Sequence, residues 1–405
     1  MQFAFLGGSF AIGVFNAFNS FTVSLWLTAF TASYFVISLV SNSRSFGGAL
    51  VSPLAGAWSD RLYLGWLGRR RPFILAGGLL GALLLALTPA ISRLEILAGW
   101  LSPDLARLAP ALLAIGLFTI AFNMQDDVQK ALLADLTEGP ARERLSSFSV
   151  VFDMGGQVVI LVLGFLLTQG GIEDGFFLVA AGLIAAGVLV NVLGVREPPP
   201  GAWDRQADTP RPSLGRFVAD YRGAAIFCLA VFCYWAGVNA VLPLVSIYTR
   251  DILGANPGEA QLLPALLLLS TTIFAIPAGL LGTRFGKRRV LATGYLVLSL
   301  AALAALVITT REEGAVVFLV AGIGNAASMV LTIPLLADLV PRHHMGAATG
   351  ILAACTSLSA PLSSVVSGSL AEAIGPRAIF LLMTVMTLLA LTLLPAVRPP
   401  KDGMG

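Results

Sequence analysis

Twelve apolar segments, each about 20 residues long or longer, follow one another along this chain of 405 residues, with short polar stretches between them. A helix that crosses a bilayer needs about 20 mainly apolar residues, whereas a strand of a membrane barrel has only about 10 residues of alternating polarity. Only helices and closed barrels pair every backbone polar group inside lipid. The sequence therefore predicts an all-α integral membrane protein with twelve transmembrane helices, at residues 3–25, 33–58, 72–92, 109–134, 146–168, 175–195, 222–248, 261–282, 289–309, 315–337, 346–369 and 375–395.

Composition and motifs exclude several classes of function. Charged residues make up 12% of the chain, about half the share of a soluble domain, so most of the surface must face lipid. The chain has no basic block that would indicate nucleic acid, no metal-spaced Cys/His set, no phosphate-binding loop and no nucleophile motif. We therefore predict a membrane protein that is not an enzyme, needs no metal or cofactor, acts as a monomer, and has a small-molecule substrate and the lipid bilayer as its partners.

One long polar stretch divides the chain. It runs from Arg196 to Arg222 and contains five prolines, which is typical of an extended linker. We predict an N-terminal six-helix bundle at residues 1–195, a cytoplasmic linker at 196–221 and a C-terminal six-helix bundle at 222–405. With both termini in the cytoplasm, 18 of the 25 Lys and Arg residues face inward, 5 face outward and 2 lie inside helices, as the positive-inside rule requires.

The two halves repeat each other. Gly56-x-x-x-Asp60-Arg61 ends the second segment, and Gly279-x-x-x-Thr283-Arg284 ends the eighth. The fourth and tenth segments end in Leu-Leu-Ala-Asp-Leu, at residues 132–136 and 335–339. Both pairs occupy corresponding positions in a 6+6 arrangement. Parallel duplication of a six-helix unit, with substrate held between the halves, is typical of transporters.

The loop after the second segment carries a family resemblance. Gly56-x-x-x-Asp60-Arg61, followed by Gly68-Arg69-Arg70-Arg71, resembles the signature loop of the major facilitator superfamily. Ser59-Asp60-Arg61 with Gly68 to Ile74, and Gln129 to Leu136, are similar to the plant sucrose transporters and their relatives, a group akin to the glycoside–pentoside–hexuronide cation symporters. The resemblance implies proton-driven uptake of a glycoside, typically a disaccharide. It also implies a conformational latch, meaning an inter-helix contact that holds one state, at Gly56, Asp60, Arg61, Arg69, Arg70 and Arg284.

The sequence departs from that group at two points. The carboxylate that the group carries earlier in the fourth helix has no match near Thr119 and Ile120, and Asp126 and Asp127 follow later instead. Arg44 stands in the second helix where the group has a small residue.

Five charged residues lie inside the predicted helices: Arg44, Asp126, Asp127, Lys130 and Asp153. A charge at membrane depth costs at least about 2.5–3.5 kcal/mol, so each needs a structural or functional reason. At a rise of about 1.5 Å per residue, Asp153, Asp126 and Arg44 lie about 10–21 Å from the cytoplasmic ends of their helices. They are therefore near the middle of a core about 30 Å thick. We predict one polar cluster, with proton-coupling candidates at Asp126, Asp127 and Asp153. The alternative is a structural ion-pair network that joins Lys130 to Asp126 or Asp127, and Arg44 to Asp153.

Other polar side chains inside the helices are candidates for substrate contact, because sugars offer hydroxyls to amides and apolar faces to aromatic rings. The alternative is hydrogen bonding between packed helices. The predicted substrate-binding residues are Asn16, Asn19, Arg44, Asn123, Lys130, Gln157, Trp235, Asn239 and Asn325.

From these features we predict a proton-coupled sugar symporter of the cell membrane that works by alternating access, with sodium as the alternative coupling ion. Two other functions remain open: a proton-coupled exporter of drugs or small metabolites, and a non-transporting assembly factor on the same fold. Buried charges argue against the assembly factor, which would gain nothing from them.

Overall fold

A computed structural model describes residues 2–45, 63–94, 103–137, 139–197, 217, 220–341 and 344–397. Throughout these ranges the secondary structure is helical, and strand pairing is limited to one isolated bridge between Leu64 and Gly68. Eleven helices in the described ranges are long and apolar enough to cross a membrane. Half of the second predicted segment, residues 46–58, falls outside the described residues.

The chain divides into two compact units. The first consists of Met1–Asp204 together with Asn256–Ala265, and the second of Arg205–Ala255 together with Leu266–Gly405.

The first unit contains helices α1 to α7. The bounds of these helices are α1 Gln2–Ala17, α2 Val23–Leu27, α3 Tyr34–Ser41, α4 Arg71–Ser92, α5 Pro103–Leu136, α6 Gly139–Leu167 and α7 Asp174–Gly194. A π-helical turn at Phe18–Thr22 joins α1 to α2. Helix α3 ends at Asn42, whose backbone leaves the helical region, and Ser43 to Ser45 are helical again.

The second unit contains helices α8 to α14, except for the first residues of α10, up to Ala265, which group with the first unit. The bounds of these helices are α8 Arg222–Val241, α9 Val245–Asp251, α10 Glu259–Phe285, α11 Lys287–Ala305, α12 Arg311–Ala337, α13 Met345–Ile374 and α14 Ala378–Leu393. The predicted seventh segment is divided between α8 and α9. Pro243 lies in the turn between them, where its missing N–H removes one helical hydrogen bond.

Aromatic rings form the core of the first unit. Phe15 of α1 stacks on Phe122 of α5, with ring centroids 3.9 Å apart, and meets Phe118 edge-on at 5.9 Å. All three rings are at most 2% exposed. This packing fixes α1 against α5, one turn from the charged residues of α5.

Two glycines let α1 and α6 cross closely. A Cβ atom at Gly13 would lie 1.9 Å from the backbone oxygen of Asp153, and one at Gly156 would lie 2.3 Å from the oxygen of Phe10. No other residue fits such a contact, because real Cβ atoms do not approach within 3 Å of backbone. The crossing brings Asp153 of α6 against α1.

Candidate functional site

Asp126 is the centre of the charged cluster in the first unit. Its Oδ2 atom accepts hydrogen bonds from the Arg44 guanidinium and from the Lys130 ammonium, the second at 2.9 Å. The Asp126 side chain is 4% exposed, against 34% for Arg44 and 64% for Lys130. Lys130 follows Asp126 by four residues on α5, a spacing that places the two side chains on one face. The pairing of Lys130 with Asp126 therefore agrees with one predicted ion pair, whereas Arg44 pairs with Asp126 and not with Asp153.

Two asparagines hold Arg44 in place. The Oδ1 atom of Asn16 accepts a hydrogen bond from Arg44 Nη1 at 2.6 Å, and Asn123 Nδ2 donates to the backbone oxygen of Arg44 at 3.0 Å. Asn123 is buried, and this contact uses one of the two N–H groups of its amide. Both predicted substrate residues thus position a cation. Asn19 also bonds within the protein, since its Nδ2 donates to the backbone oxygen of Ser41 at 2.9 Å.

Asp153 has a different environment from Asp126. Its Oδ1 atom accepts a hydrogen bond from Gln157 Nε2 at 2.9 Å, one turn along α6. Asp153 and Asp127 both interact electrostatically with Arg44, and both are partly buried. The structure therefore brings all five charged residues predicted inside the membrane into one cluster.

A cavity of about 240 Å³ opens beside this cluster in the first unit. Its charged lining consists of Asp126, Lys130 and Asp153, and its hydroxyls come from Ser9, Ser146 and Ser149. The Oδ1 atom of Asp126 is buried and accepts no hydrogen bond from any residue that the structure describes. The cavity thus combines carboxylates, an ammonium and hydroxyl groups, which can bind a polar solute and a proton.

Asn325 of the second unit lies in a buried polar network. Its Oδ1 accepts a hydrogen bond from the Tyr234 hydroxyl, and its Nδ2 donates to Thr271 Oγ1 at 3.0 Å. Tyr234 stacks on Tyr295 with ring centroids 5.0 Å apart. Asn239 donates to Ser359 Oγ at 3.0 Å and is also buried. The protein itself therefore engages Asn325 and Asn239.

A second cavity, of about 290 Å³, lies inside the second unit. Partly buried Trp235 lines it together with four hydroxyl side chains, those of Ser328, Thr332, Thr349 and Thr356. Three of the hydroxyls donate to backbone oxygens of their own helices, which leaves their oxygen atoms as acceptors.

Thr349 and Thr356 were missed in the sequence. Together with Leu352 and Ala353 they follow an i, i+3, i+4, i+7 spacing on α13, which would have placed them on one face.

The start of α4 is bound by two acids in the first unit. Arg69 Nη2 and Arg70 Nε each donate to Asp135 Oδ2 at 2.9 Å. The Glu197 carboxylate accepts the backbone N–H groups of Arg69, Arg70 and Arg71 at 2.7 to 3.0 Å. Glu197 was missed because it precedes a run of prolines and therefore looked like part of a linker.

The second unit repeats part of this arrangement. Lys287 Nζ pairs with Asp338 at 2.7 Å, as Arg69 pairs with Asp135. Gly68 and Gly286, one residue before each of these cations, both adopt a positive φ, of 76° and 93°. Arg284 lies over the ring of Phe285, 5.3 Å from its centroid. In this repeated arrangement the cation that pairs with the acid is Lys287, and the predicted latch residue Arg284 lies beside it in sequence.

The predicted latch residues Gly56, Asp60 and Arg61 lie outside the described residues.

Comparisons with known structures identify the fold. A D-xylose-proton symporter superposes with a TM-score of 0.77 at 18% identity, over 98% of this chain and 97% of that one. The nucleoside transporter NupG gives 0.70 at 14% identity, over 98% of both chains. A bacterial homolog of the human lysosomal transporter Spinster gives 0.72 at 15% identity, over 98% of this chain and 95% of the other. At these identities the likeness shows the fold alone.

One relative matches only part of the chain. An uncharacterized transporter of Buchnera aphidicola subsp. Schizaphis graminum is 24% identical over 177 residues, which is 44% of this chain and 45% of that protein. The chain thus matches less than half the length of that relative.

The family model of the Major Facilitator Superfamily matches the chain twice, at residues 4–226 and 227–403. The two matches confirm the predicted all-α fold of two six-helix repeats. They also support the prediction of a multi-pass membrane transporter and not an enzyme. The chain therefore belongs to the Major Facilitator Superfamily.

Proposed function

We propose that this transporter couples the movement of a proton to the uptake of a sugar, as a monomer in the cell membrane. The proposal rests on the charged cluster around buried Asp126. Arg44 and Lys130 share one oxygen of Asp126, whereas the one described hydrogen bond to the Asp153 carboxylate comes from the Gln157 amide. The cluster lines a cavity that also presents hydroxyl groups. The first unit thus offers a place for a proton, and the cavity of the second unit is the proposed place for the solute.

Asp153 is the proposed proton carrier. Protonating Asp126 would weaken two ion pairs at once, whereas protonating Asp153 leaves the Gln157 contact able to re-form with the neutral acid. Asp153 also interacts electrostatically with Arg44. A proton that arrives at Asp153 therefore changes the net charge around Arg44 without breaking an ion pair of Asp126.

A sugar is the proposed solute. Trp235 offers an apolar ring face in the cavity of the second unit, and four hydroxyl side chains surround it. Sugars combine apolar faces with hydroxyls, so a pocket of this composition suits a glycoside such as a disaccharide. A sugar is also the substrate named for one protein of the same fold, a D-xylose-proton symporter.

Asp153→Asn tests the coupling role. The purified protein is placed in liposomes, and uptake of a labelled sugar is driven by an inward proton gradient. The expected result is that wild-type protein accumulates sugar against its gradient, while Asp153→Asn only equilibrates it. Asp174→Asn is the matched control, because Asp174 is an exposed carboxylate of the same unit that pairs with Arg93. Full accumulation by Asp153→Asn would refute the assignment.

A substrate panel tests the sugar. Disaccharides, D-xylose, a nucleoside and a cationic dye are offered to the same liposomes, with proton gradients of both directions. We expect uptake of at least one glycoside that rises with the inward gradient. Extrusion of the dye, with no glycoside uptake, would instead indicate an exporter. A sodium gradient that replaces the proton gradient at constant pH would identify sodium as the coupling ion.

A further inference from the structure

An apolar groove crosses the surface of the second unit, apart from both cavities described above. It has a volume of about 280 Å³ and is formed by α10, α11 and α12. Its floor consists of small buried residues, among them Ala278, Gly294 and Ala327. Exposed side chains such as Leu281 and Phe285 form its rim. The groove therefore presents a smooth apolar channel that is open to the surroundings of the unit.

The lining of the groove indicates hydrocarbon as its occupant. Arg289 and Thr293 are its only polar lining residues, and the Thr293 hydroxyl donates to the backbone oxygen of Arg289 at 3.0 Å. The three helices that form the groove are each long and apolar enough to cross a membrane, so an acyl chain of the surrounding lipid is the apolar ligand that can reach it.

Arg289 marks one end of the groove. It lies in the first turn of α11, at the end predicted to face the cytoplasm, and Val297 lies two turns further along the lining. The distance along the helix between the two is about 12 Å, close to the hydrocarbon depth of one leaflet. One leaflet of a hydrocarbon core about 30 Å thick is about 15 Å deep. A groove that runs about 12 Å inward from Arg289 therefore places this guanidinium near the lipid phosphate groups.

The internal repeat allows Arg289 to be compared with the equivalent arginine of the first unit, which has an acid beside it. Arg71 is the equivalent residue of the first unit, three positions after a glycine of positive φ, and it is buried beside Glu197 with Nε 3.7 Å from that carboxylate. Glu197 belongs to Val-Arg-Glu-Pro-Pro-Pro at 195–200, whereas the second half has Val-Arg-Pro-Pro at 397–400. Arg289 is exposed, and no acid pairs with it among the residues that the structure describes. The second unit thus keeps the cation and loses the carboxylate.

We propose that this groove binds one acyl chain of an anionic phospholipid, whose phosphate pairs with Arg289 in place of the missing carboxylate. Arg284 lies exposed at the same end of α10 and adds a second positive charge. An anionic headgroup is thereby favoured over a zwitterionic one, because its net charge complements the two arginines. The lipid site is independent of substrate transport and does not rest on the proposed function.

Native mass spectrometry of the full-length protein in detergent tests the site. The protein is titrated with dioleoylphosphatidylglycerol or with dioleoylphosphatidylcholine, and the fraction that retains one lipid is measured. We expect wild-type protein to retain phosphatidylglycerol preferentially. Arg289→Gln should weaken retention of phosphatidylglycerol about fivefold, which corresponds to the loss of one arginine at a membrane surface. It should weaken retention of phosphatidylcholine less, because the choline cation already neutralises the phosphate of that lipid.

Two further variants separate the groove from general charge. Arg222→Gln removes an exposed arginine from the start of α8 in the same unit, outside the groove, and should not alter retention. Ala278→Leu fills the groove floor and should weaken both lipids, while Ala186→Leu, at an exposed position of α7, should weaken neither. Size-exclusion profiles verify that each variant is folded.

Three results would overturn the proposal. Equal retention by Arg289→Gln and wild type would exclude the phosphate contact. Unchanged retention by Ala278→Leu would exclude the acyl chain from the groove. Displacement of the lipid by glycerol phosphate at equal concentration would show that the headgroup binds without the groove.

Discussion

At the scale of single residues, the hydrogen bonds of Asp126 indicate that this carboxylate stabilises the fold, apart from any role in transport. Its Oδ2 atom accepts from two cations, one of which, Arg44, is itself held by Asn16. Removing one member of a buried ion pair leaves the other charge without compensation, which is strongly destabilising. Asp126 is therefore expected to be necessary for the fold, whatever part its neighbours have in transport.

Asp126→Ala tests this expectation. The variant leaves Arg44 without an acid partner at its present position, and the unfolding free energy should fall by about 3 kcal/mol. Lys130→Ala should cost at most about 1 kcal/mol, because the Lys130 side chain is 64% exposed. Thermal melting of the detergent-solubilised proteins gives the comparison. Equal melting temperatures for the two variants would contradict the structural role.

The sequence located the charged residues but not all of their partners. Each buried charge stands out because it is costly in lipid, and the i, i+4 spacing made Asp126 one of the two predicted partners of Lys130. The pairing of Arg44 with Asp126 joins residues 82 positions apart. No local pattern encodes such a contact, so it could be found only from the structure.

At the scale of helices, hydropathy predicted the transmembrane segments to within a few residues in most cases, because long apolar runs are required to cross a membrane. It did not predict where helices break. Asn42 ends α3 inside the second predicted segment, and the turn between α8 and α9 lies inside the seventh. Hydropathy averages over a window and does not register a lost backbone hydrogen bond. Pro243 was a local signal of the second break.

The crossing of α1 and α6 leads to a prediction at this scale. Gly13→Ala places a Cβ atom 1.9 Å from the backbone oxygen of Asp153, so the helices must separate. Gly155→Ala meets no atom within 4 Å and removes a helix glycine, which should be neutral or stabilising by up to about 1 kcal/mol. Fluorescence-detected size exclusion after heating should show loss of the Gly13→Ala protein alone. Survival of both variants at the same temperature would refute the close crossing.

At the scale of the whole molecule, the distribution of basic residues predicts that both termini face the cytoplasm. A single cysteine at Glu312, exposed at the start of α12, should then react with an impermeant maleimide in intact cells. A cysteine at Thr283, exposed near the end of α10, should react only after the cells are permeabilised. The native Cys355 is replaced by serine first, since it is only partly buried. The opposite labelling pattern would reverse the orientation.

The contact made by Glu197 also predicts where the chain can be divided into two separately translated fragments. A fragment that stops at Val195 lacks the carboxylate that accepts three amides at the start of α4, whereas a fragment that stops at Pro200 retains it. Two separately translated halves should therefore complement each other when the first ends after residue 200, and fail when it ends at 195. We therefore expect the boundary of the N-terminal fragment to lie after Glu197 and not at the end of α7.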